Sequence, residues 1–186
     1  MKNVFIRRNF VGAGMLFIFL FTSINLAESK TVKSVKTMGP TVPYAIRIPK
    51  MNINTVVESV GLTPTGSMDA PVGPSEAGWY NGGVEPGTVG SAVIDGHSGW
   101  KGGIPAVFDN LGKLKKGDKI YITNQAGVVS TFIVRKTKTY KPNAVVPDIF
   151  SSTDGIAHLN LIACSGTWNT KTKTHSSRLV VFADKI

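Results

Sequence analysis

Apolar and polar residues alternate along most of the chain from Tyr44 onwards, in short runs separated by Gly, Pro, Asn and Asp. In one run, Ile120 and Ile122 alternate with Tyr121 and Thr123, the period of two expected of a strand with one buried face. The short runs that are rich in strand-forming residues are YAIRIP, NTVVESV, GSAVIDGH, DKIYITN, VVSTFIVRKTKTY, AHLNLIAC and RLVVFA. Short strands at this spacing predict an all-β barrel or sandwich.

The segments between these runs carry turn and helix signals. NQAG, at residues 124–127, is typical of a hairpin turn that joins two antiparallel strands. Residues 104–114 and 145–151 predict short helical turns. The stretch 61–90 is rich in Gly and Pro but also contains aromatic residues. We therefore expect a long ordered loop there, with its aromatic side chains plugging one end of a barrel.

The amino terminus combines a positive flank with an apolar run, as a signal peptide or a membrane anchor does. Cleavage after Ala27 would put Asn25 where a small residue is preferred, which favours an uncleaved anchor. The rest of the chain is then expected outside the cytoplasm. The sequence divides into a cytoplasmic basic flank (1–9), a transmembrane anchor or signal peptide (10–27), a linker (28–43) and one folded domain (44–186).

Charge and composition narrow the classes of function. The 186 residues include 21 Lys and Arg against 11 Asp and Glu, a net charge of +10. The cations are spread singly and no nucleic-acid motif accompanies them, so the charge suits an envelope surface and we expect no nucleic-acid partner. The single cysteine excludes an intrachain disulfide. With three histidines besides, we expect no metal and no cofactor.

That cysteine, Cys164, ends the run LNLIAC and is followed by Ser-Gly. A nucleophilic thiol needs a base nearby, and a buried inert thiol is the alternative. His158 lies six residues upstream on the same predicted strand, roughly 20 Å away, and is expected at the surface of a strand end. His97 follows a strand and is flanked by glycines, so it is preferred as the base over His175, which is predicted in the loop after the cysteine.

Arg178 opens the last predicted strand, RLVVFA, which we expect to pair with the strand of Cys164. Pairing would set the guanidinium beside the thiol. Its five fixed donors can hold a substrate carbonyl or an oxyanion, and an ordinary strand-end arginine at the surface is the equal alternative.

The order of these residues resembles that of the sortases, cysteine transpeptidases of the bacterial cell envelope. AVIDGHSGW resembles the family's histidine strand, LNLIACSG its Thr-Leu-x-Thr-Cys motif, and RLVVFA its arginine strand. The Gly- and Pro-rich stretch and VFDNLGKLKKGDKIYI look closest to class F, with classes D and E possible. The resemblance implies a β-barrel of about eight strands with one or two short helices, preceded by a membrane helix.

The resemblance also assigns roles. His97 becomes the general acid/base, Cys164 the nucleophile and Arg178 the oxyanion or substrate stabiliser. The family's two threonines are Asn160 and Ala163 here, which puts rate and substrate preference in doubt. The expected substrate-binding residues, each with an alternative structural reading, lie beside the cysteine and in the loop 138–155: Ala163, Ser165, Val145, Val146 and Ile149.

The activity implied is cleavage of an LPxTG-like sorting signal and transfer of the acyl group to an amine. The implied partners are surface proteins with a C-terminal sorting signal, an amine acceptor in a peptidoglycan precursor or a pilin, and the membrane. A weakened or inactive sortase-like binding module is the alternative. An L,D-transpeptidase-like enzyme is disfavoured, because Cys164 is followed, not preceded, by its Ser-Gly pair.

Overall fold

The computed structural model describes residues 42–186. Eight strands close into a barrel. They are β1 (Pro43–Ile48), β2 (Ile53–Val60), β3 (Ala77–Tyr80), β4 (Gly90–Gly96), β5 (Lys119–Asn124), β6 (Val129–Tyr140), β7 (Ala157–Asn169) and β8 (Thr174–Lys185). Four single-turn 3-10 helices, Pro49–Met51, Lys101–Gly103, Leu111–Lys113 and Pro147–Ile149, complete the described elements.

The strands are ordered β1-β2-β3-β4-β7-β8-β6-β5, and β5 closes the barrel against β1. The pairs β2–β3 and β4–β7 are parallel, and the other neighbours are antiparallel. β7 therefore lies between β4 and β8, so residues distant in sequence come together on three adjacent strands.

Successive side chains of β7 point to opposite faces, so the strand contributes to two apolar layers, one inside the barrel and one on its outer face. Leu159 and Leu161 are fully buried in the barrel interior, where they join Phe108 and Phe132. Burial of apolar surface there, about 25 cal/mol per Å², is the main force that holds the barrel closed. A second cluster covers the outer face of the same region: Val93, Ile149, Val180 and Phe182. Through Ile149, this outer layer packs the segment before β7 against the barrel.

The all-β barrel predicted from the alternation is confirmed, and each predicted run forms a strand. The predicted turn at 124–127 closes with the amide of Gly127 donating to the Asn124 carbonyl at 2.9 Å. Helical turns occur at Leu111–Lys113 and Pro147–Ile149, inside the predicted segments. The predicted basic flank and membrane segment lie outside the described residues, as does all but the end of the linker. Within residues 42–186, no helix is long and apolar enough to span a bilayer.

Two expectations about strand boundaries were wrong. The stretch 61–90 is not one loop, because its AGWY segment forms β3, and Trp79 is buried in the core rather than plugging the barrel from a loop. β8 begins at Thr174, so His175 lies in a strand rather than a loop and Arg178 does not open the strand. Thr, His and Ser carry little apolar signal there, and pairing with β7 supplies the stability that local propensity does not.

Candidate active site

Cys164 lies on the outer face of β7. Its neighbour Ala163 is buried in the core, and successive side chains of a strand point to opposite faces. The half-buried thiol opens onto a cleft of about 710 Å³. The cleft is lined by residues from the segment after β4 and from the β7–β8 hairpin: His97, Ser98, Gly99, Trp100, Lys101, Cys164, Trp168 and His175.

His97 reaches the cleft because β4 and β7 run parallel and in register. Gly96 is paired with Ala163, so His97 follows β4 at the level at which Cys164 continues β7, and adjacent strands are about 4.8 Å apart. A side chain at Gly96 would not fit, since a Cβ would come within 2.6 Å of Phe108 and Val107. The glycine thus lets the strand pack on the core directly before the histidine.

The His97 ring is held on two sides. Its Nε2 donates to the Pro71 carbonyl oxygen at 2.8 Å, because a carbonyl can only accept. The ring also packs edge-on against Trp100, with centroids 4.5 Å apart. Nδ1 is therefore the ring nitrogen left for chemistry in the cleft.

Arg178 is directly opposite Cys164 in the antiparallel pairing of β7 and β8. Opposed residues of such a pair project from the same face, so the arginine starts beside the thiol. Its guanidinium bends towards its own strand: Nη1 donates to the Ser177 carbonyl at 3.0 Å and to the His175 carbonyl at 3.3 Å. Arg178 is therefore not among the described residues that line the cleft.

His175, the second candidate base, lines the same cleft as Cys164. It is paired across the hairpin with Trp168, and the two rings pack edge-on with centroids 5.1 Å apart. Register places His97 directly after the strand adjacent to that of the thiol, whereas His175 lies beyond Arg178 towards the hairpin turn. The structure thus brings both histidines to one cleft.

Sequence reasoning missed the tryptophans and Lys101. The sequence does carry a signal for the tryptophans. Ser-Gly follows both His97 and Cys164, and a tryptophan comes shortly after it in each case: His-Ser-Gly-Trp at 97–100 and Cys-Ser-Gly-Thr-Trp at 164–168. Both glycines have positive φ, 75° at Gly99 and 78° at Gly166, which turns the chain back across the site.

His158 is not the surface residue that was expected. Its side chain is 3% exposed. Nδ1 donates to Asp184 at 2.6 Å and Nε2 to Asp154 at 2.9 Å, and Asp184 also pairs with Arg135 at 3.0 Å. The backbone N–H of Ile156 lowers the pKa of Asp154 to about 2. His158 thus anchors the loop before β7, at the end of the strand away from Cys164.

Asp95 is an unexpected buried carboxyl two residues before His97. Its Oδ1 is buried and has no hydrogen-bond partner among residues 42–186. It lies against Gly78 of β3, where Val60 and Pro71 also converge. Burial, with a smaller contribution from the charge of Asp69, raises the pKa of Asp95 to about 8. The carboxyl is therefore largely protonated at neutral pH.

The expected substrate-binding residues do not line the cleft. Ala163 is the clearest case, because its side chain is buried in the barrel core, on the face opposite Cys164. The Ser165 hydroxyl is buried without a partner in the described part of the chain. Ile149 and Val146 pack into the outer cluster, and Val145 is 91% exposed.

Asn160 also has a structural place. It is buried on the outer face, and its Nδ2 donates to the Ile149 carbonyl at 2.7 Å. The bond ties the Pro147–Ile149 turn to β7. Neither Asn160 nor Ala163 thus lines the cleft itself, although both differ from the threonines of the resemblance.

Comparisons with known proteins agree with this architecture. A family model described as the sortase domain matches residues 46–186. The chain is similar to a lid mutant of sortase A from Corynebacterium diphtheriae, with 25% identity and a TM-score of 0.61 over 79% of this chain and 70% of that one. It is similar to sortase C-1 from Actinomyces oris, with 25% identity and a TM-score of 0.59 over 76% and 72%.

A third solved structure, sortase C from Streptococcus pneumoniae, shares 23% identity and the fold, with a TM-score of 0.58 over 76% of this chain and 65% of that one. No curated protein matches the chain. The resemblance to class F stays a prediction, since these structures are sortases A and C. Because the family model covers the barrel from the middle of β1 to the end of β8, the chain belongs to the sortase family of transpeptidases.

Proposed function

We propose that this protein is a membrane-anchored sortase that cleaves an LPxTG-like sorting signal through a thioacyl intermediate on Cys164. The observation that carries the proposal is the register of three adjacent strands: Cys164 on β7 is paired with Arg178 on β8, and His97 directly follows the part of β4 that pairs with β7. A nucleophile with an imidazole on one side and a guanidinium on the other suits acyl transfer from an amide, because the imidazole can transfer protons and the guanidinium can stabilise an oxyanion.

In the first step, the Cys164 thiolate attacks the scissile carbonyl and a C–S bond forms. The C–N bond then breaks, and the leaving amine takes the proton that the His97 imidazolium carries on Nδ1. The oxyanion of the tetrahedral intermediate is stabilised by Arg178, whose guanidinium must first leave the carbonyls of residues 175 and 177. In the second step an amine attacks the thioacyl carbon and gives a proton to His97, the C–S bond breaks to return the Cys164 thiolate, and the new amide leaves.

The substrates follow from the family and its members. We propose surface proteins with a C-terminal sorting signal as acyl donors, and an amine of a peptidoglycan precursor or a pilin as acceptor. The structure of Streptococcus pneumoniae sortase C concerns pilin substrate specificity, which supports a protein substrate here. The apolar run 10–27 behind its basic flank supports a single-pass anchor with the catalytic domain outside the cell.

A catalytically weakened binding module is the competing function, motivated by Asn160 and Ala163. Their positions favour an active enzyme: Ala163 packs in the core and Asn160 holds a turn, so neither substitution removes a group from the cleft.

Cleavage of a fluorogenic LPxTG-type peptide by wild type and Cys164→Ala tests the proposal, together with alkylation of Cys164 in the presence and absence of that peptide. We expect cleavage by wild type only, and slower alkylation with peptide bound. Wild type that binds the peptide but never cleaves it would support the binding module instead.

A further inference from the structure

Two histidine–tryptophan pairs line the cleft. His97 packs against Trp100 on the side of β4, and His175 packs against Trp168 on the β7–β8 hairpin. All four side chains border the same space as Cys164. The proposed proton transfer to the leaving amine uses His97 alone, so the second pair has no role in it.

A bulge in the hairpin builds the second pair. Cys164 pairs with Arg178 and Ser165 with Ser177, but the next paired residues are Trp168 and His175, so β7 carries one residue more than β8. One extra residue reverses the face on which later side chains of the strand lie. The bulge thus puts Trp168 on the side of His175, and the positive φ of Gly166 accommodates it.

The ring nitrogens of the two histidines are used differently. In His175, Nδ1 donates to the Gly166 carbonyl at 3.3 Å, so in the neutral ring Nε2 carries the free lone pair. In His97, Nε2 is the bonded nitrogen and Nδ1 is free. The cleft therefore offers two imidazoles, each anchored by one nitrogen to a backbone carbonyl.

Acyl transfer to an amine that arrives protonated releases one proton more than His97 can take. A lysine-type amine has a pKa of about 10.4 and arrives as an ammonium at neutral pH. Formation of the amide releases two protons from it. His97, neutral after protonating the leaving group, takes one of them and regains its starting state. The other needs a second acceptor.

We propose that His175 is a second general base, specific to the acceptor step, and that Trp168 and Trp100 hold the incoming ammonium beside it. This inference rests on the proposed function and deepens it. Indole faces attract an ammonium through cation–π interaction and can pack along a methylene stem. The acceptor class is therefore a primary amine that is protonated at neutral pH and borne on an unbranched stem.

The ammonium gives one proton to His175 Nε2, and the amine lone pair then forms the N–C bond to the thioacyl carbon. The C–S bond breaks and its electron pair returns to Cys164 as thiolate. The second proton leaves the nitrogen for His97 Nδ1, and the His175 imidazolium releases its proton to water.

The test measures how the thioacyl enzyme partitions between an added amine and water. His175→Asn is the variant of choice, because the Asn amide can still donate to the Gly166 carbonyl but offers no base in place of Nε2. Thr172→Ala, in the exposed hairpin turn, is the matched control. The two acceptors are the side-chain amine of Nα-acetyl-lysine amide and the α-amine of triglycine, whose pKa is only about 8.

For the lysine amine at pH 7, His175→Asn should lower the ratio of amide product to hydrolysis product by about tenfold or more. The loss should be clearly smaller for triglycine at pH 7 and for the lysine amine at pH 9. In both cases a larger fraction of the amine is already deprotonated than for the lysine amine at pH 7. Thr172→Ala should match wild type.

An unchanged ratio, or a loss equal for both amines and at both pH values, would overturn the role of His175, because a merely structural residue does not distinguish acceptors by pKa. The rate of thioacyl formation is read in the same reactions. Wild type that forms no thioacyl would refute the proposed function itself, and this inference with it.

Discussion

Cys164 and Arg178 face each other across the β7–β8 pair, yet the arginine's guanidinium donates to carbonyls of its own strand rather than to the cleft. The strand register places the backbone of Arg178 beside Cys164, and the hydrogen bonds of the guanidinium hold it away from the cleft. Movement of this one side chain would bring five donors to the oxyanion position. The role of Arg178 is thus open to direct test.

Arg178→Ala should slow thioacyl formation by about 10²–10³-fold, the usual effect of removing an oxyanion donor. Arg178→Lys should recover only part of this loss, because lysine keeps the charge but not the planar fork. Single-turnover cleavage of a sorting peptide measures both. If Arg178→Ala acylates within twofold of wild type, the arginine is only a hairpin residue.

Gly96→Ala should destabilise the fold, because the added methyl would lie 2.6 Å from Phe108 and Val107 in a packed core. Overpacking of this kind costs about 1–3 kcal/mol. Gly112→Ala is the control, since its Cβ would meet only Leu179, at 3.5 Å. Urea denaturation followed by tryptophan fluorescence compares them; equal midpoints for the two variants would contradict the packing of Gly96.

Asp95 should make stability fall as pH rises. Its pKa is about 8 in the folded protein, against about 3.9 for an exposed Asp, so the folded state holds a proton that the unfolded chain has lost. The stabilising contribution of that proton is complete below about pH 4 and is lost as pH rises towards 8, by at most about 1.4 kcal/mol per pH unit.

Asp95→Asn cannot ionise and should remove this slope. Its free energy of unfolding should rise relative to wild type between pH 4.5 and pH 8, as measured by urea denaturation at each pH. The exposed Asp148→Asn should follow wild type throughout. A constant difference between wild type and Asp95→Asn across this range would show that Asp95 is ionised in the folded protein.

His158→Ala should destabilise the barrel by about 2 kcal/mol, because it removes the buried donor shared by Asp154 and Asp184. Peptide cleavage at a temperature where the variant is folded should be unchanged, since His158 lies outside the cleft. Thr153→Ala, in the same loop, controls for local changes. Loss of cleavage in folded His158→Ala would tie this end of β7 to the active site.

The sequence predicted much of the fold because alternation in strands such as β5 directly reflects which face is buried. It also pointed to His97 and Cys164, which line the cleft, and to Arg178, which pairs with Cys164 without lining it, because strand ends and glycines mark them. It could not predict that Ala163 points into the core while Cys164 points out, or that His158 is buried between two carboxylates. Those facts depend on strand register and on contacts across 26 residues, which no local pattern encodes.

The most direct measurement is intact-mass spectrometry of the protein mixed rapidly with an LPxTG-type sorting peptide. The account predicts a wild-type adduct with the mass of the peptide's acyl fragment, localised to Cys164 and discharged by an added amine. Cys164→Ala should give no adduct, and His97→Ala should form it far more slowly. Cleavage of the peptide by Cys164→Ala at the wild-type rate, or an acyl adduct on another residue, would contradict the assignment of Cys164 as the nucleophile.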